Sequence, residues 1–178
     1  LRIEGGEIEI GPNRMIIGEG DGADLKFVES TSKAIHTHLP ERPEVFQEKF
    51  QLFPAGCRTL RLGESTVGYG IAYPWILNSI PPLDTFFISL PRSPECLFIH
   101  DLVVLPKARS HGAAAAFVTE MRTLAMQAGL ASLALVSVYD TNPLWTRLGF
   151  RVLEDASLSP KLIAYGNTAK YMVSHGNA

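Results

Sequence analysis

The passage that most limits the fold is a strand, a short loop and a helix in the second half of the chain. Cys96 to Leu105 (CLFIHDLVVL) is a dense run of apolar, β-favouring residues closed by Pro106, the pattern of a buried central strand. Gly112 to Gly129 follows as a strong helix. Ala114, Phe117, Val118, Met121, Leu124 and Ala125 recur there at i, i+3 and i+4 spacings, and Gly129 ends it.

The remaining elements can be placed around that passage. Residues 1–12 alternate at Ile3, Ile8 and Ile10 but are broken by Gly5-Gly6, which suits at best a frayed edge strand, and Asn13 to Gly18 holds a short strand candidate. Asp21 to His36 reads as a helix capped by Asp21 or Asp24, and Pro43 to Phe53 as a second with Val45, Phe46, Phe50 and Phe53 on one face. Cys57 to Gly63 and Ser65 to Trp75 form a hairpin turning at Gly63-Glu64. Residues 76–95 carry four of the twelve prolines and read as a long loop, with a short helix around Leu83 to Leu90. After the long helix come a buried strand at Ser132 to Tyr139, a short helix at Asn142 to Leu148 stopped by Gly149, a strand from Phe150 to Leu153 and a last strand at Ala169 to Ser174. The order is β-α-α-β-β-β-α-β-α-β-β, a mixed α/β domain spanning 1–178 with no internal repeat.

Composition narrows the function. A chain of 178 residues, 46% hydrophobic and 19% charged, buries enough apolar surface to need neither a disulfide nor a metal. A net charge of −2 with no run of four Lys/Arg residues argues against a nucleic-acid partner. Apolar stretches fall short of the roughly 18–20 residues of a membrane helix. Cys57 and Cys96 match no CxxC spacing and read as reduced thiols. A soluble, cytoplasmic protein is expected; the chain begins at Leu1 rather than Met, so a targeting segment upstream stays open.

The chemistry sits in Arg109-Ser110-His111-Gly112-Ala113-Ala114, between strand and helix. Free backbone N–H groups and the dipole at a helix start attract an anion. Gly112 lacks the Cβ that would hold a phosphate off, Ala113 to Ala116 keep the first turn small, and Arg109 can add a charged contact. An ordinary Ala-rich helix start has the same letters. A P-loop and a dinucleotide fold fit worse, for neither GxxxxGK[ST] nor GxGxxG occurs.

Arg109-x-x-Gly112-x-Ala114 resembles the Arg/Gln-x-x-Gly-x-Gly/Ala signature of the GNAT acetyltransferase superfamily, in the same strand–loop–helix setting. Asn142-Pro143-Leu144-Trp145-Thr146-Arg147-Leu148-Gly149-Phe150 resembles its second signature, a short helix ending in Leu-Gly-Phe. Together they cover roughly residues 96–153. The resemblance implies a mixed, mostly antiparallel sheet flanked by helices, with the Cys96–Leu105 and Ser132–Tyr139 strands splayed for CoA. It implies acetyl-CoA as co-substrate, its pyrophosphate on the amides of Arg109, Ser110, His111, Gly112, Ala113 and Ala114. The pantetheine arm would run beside Leu102, Val103 and Val104, and Asn142 and Trp145 would adjoin the cofactor. Many such proteins are dimers, which extends the option of a homodimer to this chain.

Acetyl transfer to an amine needs a neutral nucleophile, so a base near pH 7 helps. His100 is the first candidate, resembling the base histidine of arylalkylamine N-acetyltransferases, and Asp101 the second; a buried histidine that only satisfies hydrogen bonds is the competing reading. Strand alternation puts Phe98, His100 and Leu102 on one face and Ile99, Asp101 and Val103 on the other. The family places a Tyr as proton donor where this chain has Trp145, whose indole cannot deliver a proton near neutral pH. Either electrostatics alone assists the thiolate, or Tyr139 substitutes, or activity is weak. Tyr73-Pro74-Trp75 with Leu83, Phe86 and Phe87 could wall an acceptor pocket or close the core. Glu41, Glu44 and Glu48 could attract a cationic amine or simply solvate a helix. The expected function is acetylation of a primary amine on a small molecule. A non-catalytic acyl-CoA sensor and acetylation of a protein N-terminus or lysine are the alternatives.

Overall fold

In this computed structural model residues 3–4, 7–10, 15–19, 22–109 and 111–176 are described. Strands β1 (Ile3–Glu4), β2 (Glu7–Ile10) and β3 (Met15–Glu19) precede helices α1 (Gly22–Ile35) and α2 (Pro43–Leu52). The hairpin β4 (Cys57–Leu62) and β5 (Ser65–Trp75) follows, then the central strand β6 (Cys96–Val104) and the long helix α3 (Ala113–Gln127). Strand β7 (Ser132–Ser137), helix α4 (Asn142–Arg147), strand β8 (Arg151–Val152), helix α5 (Ser159–Ile163) and strand β9 (Lys170–His175) complete the chain.

The described strands form one sheet in the order β1-β2-β3-β4-β5-β6-β7-β9-β8. Every neighbouring pair is antiparallel except β6 and β7, which run parallel. A parallel pair needs a crossover, and α3 supplies it. Its buried Phe117, Val118, Met121 and Ala125 pack with Leu60, Leu97, Ile99, Leu133 and Leu135 on one sheet face. Gly70 permits this close packing, since a Cβ there would lie 2.2 Å from the Phe117 ring. On the other face Val28 of α1 and Phe46 and Phe50 of α2 cover Tyr69, Ile71, Tyr73 and Phe98. Helices therefore flank the sheet on both sides, the layered, mostly antiparallel α/β arrangement expected from the sequence.

Two irregularities of β6 create the site. First, β6 pairs with β7 over three residues only, Leu97 with Leu133, Phe98 with Ala134 and Ile99 with Leu135. Beyond Ile99 the edge of β6 that faces β7 carries no ladder, although β6 continues to Val104 and stays paired with β5 on its other edge. Second, Asp101 pairs with Ile71 and Ile99 with Ala72, so His100 is an extra residue in the ladder. Such a bulge flips the alternation that follows it. The expected separation of His100 and Asp101 onto opposite faces is thereby corrected: both hydrogen-bond toward the α1/α2 side, to Tyr73 and Tyr69 respectively.

Other departures are local. No helix forms around Leu83 to Leu90; the segment is held as irregular chain by backbone-to-side-chain bonds from Asp84 to Glu41 and from Phe87 and Ile88 to Glu48. The short helix α5 lies in a stretch that shows no clean periodicity. Cys57 and Cys96 are buried free thiols, each pushed up to about 12 by burial. Among the described residues no helix is long and apolar enough to cross a membrane.

Candidate functional site

A cleft of about 730 Å³ runs through the split between β6 and β7. One end is built by the loop after β6 and the start of α3. Gly112 caps α3 at φ 77°, the left-handed region, and has no side chain to cover the first-turn amides. Ala113, Ala114 and Ala115 line the cleft there without reaching across it. Arg109, exposed and anchored by Nε donating to the Val104 carbonyl at 3.2 Å, stands on one side and Arg147 of α4 on the other. His111 turns back instead, its Nδ1 donating to the Arg109 carbonyl at 3.0 Å. Ser110 lies outside the described residues.

The middle of the cleft is the unladdered edge of β6, with Leu102, Val103 and Val104, facing Val136 and Val138. Trp145 and Thr141 border it from α4 and its cap, and the Trp145 indole donates to Thr141 Oγ1 at 3.3 Å while its ring packs edge-on against Phe150. Asn142, by contrast, is not among the lining residues; the adjoining Thr141 takes that place.

The far end is lined by Leu39, Leu83 and Tyr165 and carries the titratable groups. His100, whose side chain is 2% exposed, bonds through Nε2 to Glu41 at 2.6 Å and through Nδ1 to the Tyr73 hydroxyl at 3.0 Å. Burial would raise the Glu41 carboxyl, but His100 and then Lys49 hold it down to about 2. Ionised Glu41 can only accept, so His100 Nε2 carries the hydrogen. Burial keeps Tyr73 a phenol, and both ring nitrogens of His100 are thus engaged. Lys49 is fully buried 3.8 Å from Glu41 and 4.7 Å over the Phe87 ring, and burial lowers its pKa.

Asp101 lies beside this network. Its carboxylate accepts from the Tyr69 hydroxyl at 2.6 Å and contacts His36 Nε2 at 3.1 Å from both oxygens. Tyr139 completes the group, with its hydroxyl 3.3 Å from His36 Nδ1 and its ring stacked on the imidazole. Of the expected acceptor walls only Leu83 lines the cleft. Phe87 packs into Tyr73 and Trp75, and Phe86 is exposed under Arg42.

A split parallel pair beside a glycine-capped helix start is a specific arrangement, and comparison with known proteins agrees. A model of the acetyltransferase (GNAT) family matches residues 27–150, more than half of the chain. The chain belongs to this family. Its fold is also that of solved GNAT structures. The loading GNATL domain of CurA from Lyngbya majuscula superposes with a TM-score of 0.74 at 13% identity, covering 92% of this chain and 98% of that one. Ard1 from Thermoplasma volcanium gives 0.68 at 13% identity, covering 92% and 99%. N-acetylglutamate synthase from Neisseria gonorrhoeae, solved with coenzyme A and N-acetyl-glutamate, gives 0.68 at 14% identity over 92% of this chain and 35% of that one. No curated protein sequence matches the chain.

Sequence reasoning missed His36 and Tyr69 as site residues, offered Tyr73 only as an acceptor wall or core residue, and left Glu41 open between attracting an amine and solvating a helix. The bulge at His100 brings these side chains together, and nothing in the local spacing of any of them announces it. The one available signal was Glu41 itself, which precedes Pro43 of α2 and so need not share the solvated face of that helix with Glu44.

Proposed function

We propose that the chain transfers an acetyl group from acetyl-CoA to a primary amine on a small molecule, working as one domain over 1–178. The observation that carries this reading is the polarity of a single cleft. Two guanidinium groups and bare helix amides stand at one end, and two carboxylates stand at the other. A diphosphate suits the first and a cationic amine the second.

Residues of this chain fit the CoA moiety. The amides of Ser110 to Ala114, His111 included, would hold the pyrophosphate, and Gly112 leaves the first turn of α3 uncovered. The Arg109 amide donates to the Pro106 carbonyl at 3.2 Å, so Arg109 would contribute its side chain instead. The free edge at Leu102, Val103 and Val104 would pair with the amides of the pantetheine arm as a strand would. Trp145 would flank that arm, and Asn142 would act through the α4 start it forms. Acetyl-CoA supplies an activated acyl thioester. The protein brings the amine to it, lowers its protonation and excludes water.

Among the groups expected to move protons, Tyr139 is favoured as donor to the departing thiolate. Burial and the nearby Asp101 keep it a phenol, and it lines the cleft where Trp145 cannot deliver a proton. His100 is favoured as an anchor, since Glu41 and Tyr73 occupy its nitrogens.

Isothermal titration with acetyl-CoA, followed by thiol release over a panel of small amines and N-terminal peptides, tests the reading. Binding with turnover of a small amine is the expected result. Turnover of peptides alone would move the acceptor to a protein, binding without turnover would favour a sensor, and no binding would remove the reading.

A further inference from the structure

His36 has no part in the assignments above, yet it faces the cleft with an ordered environment on every side. It follows the last residue of α1, its backbone N–H bonded to the Ser32 carbonyl at 2.7 Å, so the ring stands at the negative end of a helix. The Asp101 carboxylate, itself held by Tyr69, accepts from Nε2. A carboxylate has no hydrogen to give, so the neutral ring carries its hydrogen on Nε2 and its lone pair on Nδ1. That lone pair faces the Tyr139 hydroxyl.

The backbone supports the same point independently. Tyr139 and Asp140 sit at φ 53° and 57°, two successive non-glycine residues in the left-handed region directly after β7. Each costs on the order of 1 kcal/mol or more and persists only where the surroundings impose it. The side chain so positioned is the one stacked on His36, with ring centroids 5.8 Å apart and planes 15° from parallel.

We propose that His36 is the catalytic base, fixed by Asp101 and Tyr139, and that Nδ1 takes the proton from the ammonium form of the acceptor. This rests on the acetyltransferase reading. An N–H bond of the ammonium breaks, its electron pair stays on the amine nitrogen, and the proton forms an imidazolium paired with Asp101. As the tetrahedral intermediate collapses, the amide nitrogen gives its second proton to solvent water, and Tyr139 gives its proton to the departing thiolate and recovers one from His36. Of the two protons the ammonium loses, one thus ends on the thiol and one in solvent. His36 differs from His100 in the features a base needs. Its side chain is 14% exposed against 2%, and its second nitrogen meets the hydroxyl of Tyr139 at 3.3 Å, a residue 45% exposed, rather than that of the buried Tyr73.

The groups that face His36 are Asp101 from β6, Tyr139 from the loop after β7 and, further off, Glu41 ahead of α2, with Tyr69 of β5 behind Asp101. Burial by itself lowers the pKa of His36. Asp101, by hydrogen bond and charge, and then Glu41 outweigh it, so the ring titrates above its ordinary 6.5.

The test uses the full chain, acetyl-CoA, and 2-phenylethylamine as the acceptor probe. His36→Gln should bind acetyl-CoA as the unaltered protein does, which also shows that it folds. It should release thiol about 100-fold more slowly at pH 7 and lose the acidic inflection of the kcat/KM profile. Imidazole-ring NMR, with His36 assigned by its loss in the variant, should give a titration above 6.5 that falls in Asp101→Asn. A full rate in His36→Gln, an unshifted His36, or an inflection that disappears only in His100→Gln would overturn the assignment. If the unaltered protein itself fails to bind acetyl-CoA, the acetyltransferase reading fails; the NMR titration decides the His36–Asp101 pair in either case.

Discussion

The two ends of the cleft are made in different ways. The proposed anion-binding end is built around the start of α3 and works through backbone: first-turn amides, a left-handed glycine and small side chains. The far end draws on the end of α1, the residue ahead of α2, β5, β6 and the loop after β7, and works through side chains packed against one another. Backbone sites depend on a few conformations and break at single positions. Side-chain networks share their load, so a substitution there should change proton placement and stability before it abolishes anything.

Gly112→Glu is expected to break the first end outright. It puts a charged side chain at a left-handed position where the diphosphate would lie, and acetyl-CoA affinity measured by titration calorimetry should fall at least about 1,000-fold. Retained affinity would mean that the amides of α3 are not the anion site.

Glu41→Gln should sharpen the contrast. A carboxyl moved from an ordinary 4.5 to about 2 in the folded state stabilises the fold above the higher value and ceases to do so as pH falls through the lower one. The linked stability is about 3 kcal/mol, lost between about pH 5 and pH 2. Urea unfolding across that range should show the loss in the unaltered chain and little of it in Glu41→Gln, with acetyl-CoA affinity unchanged at pH 7. Equal slopes in both would mean that Glu41 is solvated rather than locked onto His100.

Tyr139→Phe keeps the ring on His36 and removes only the hydroxyl. Thiol release should fall about tenfold with unchanged acetyl-CoA affinity, and an unchanged rate would assign the donor elsewhere. The smallest effect should come from Arg42→Ala. Arg42 and Asp84 are 55% and 37% exposed, and although the pair ties the loop to α2, an exposed ion pair contributes below about 1 kcal/mol. A larger loss in thermal unfolding would show that this tie holds the loop at 83–90 in place.

The same division separates what the sequence by itself determined from what only the tertiary structure decided. Apolar periodicity located α3, β6 and the hairpin to within a residue or two, because each is dictated by neighbours along the chain. Arg109-x-x-Gly112-x-Ala114 marked the glycine-capped start of α3 for the same reason, since amide orientation is local. The missing helix at 83–90 is the opposite case, where Glu41 and Glu48 claim the amides of Asp84, Phe87 and Ile88 from across the fold. The acid–base end was decided by one inserted residue in a ladder. His100 interrupts the pairing of β6 with β5, turns Asp101 to the face of His36, and coincides with the place where β7 departs. Pairing register is a property of two strands and side-chain convergence of five segments, and neither is written in the spacing of any one of them.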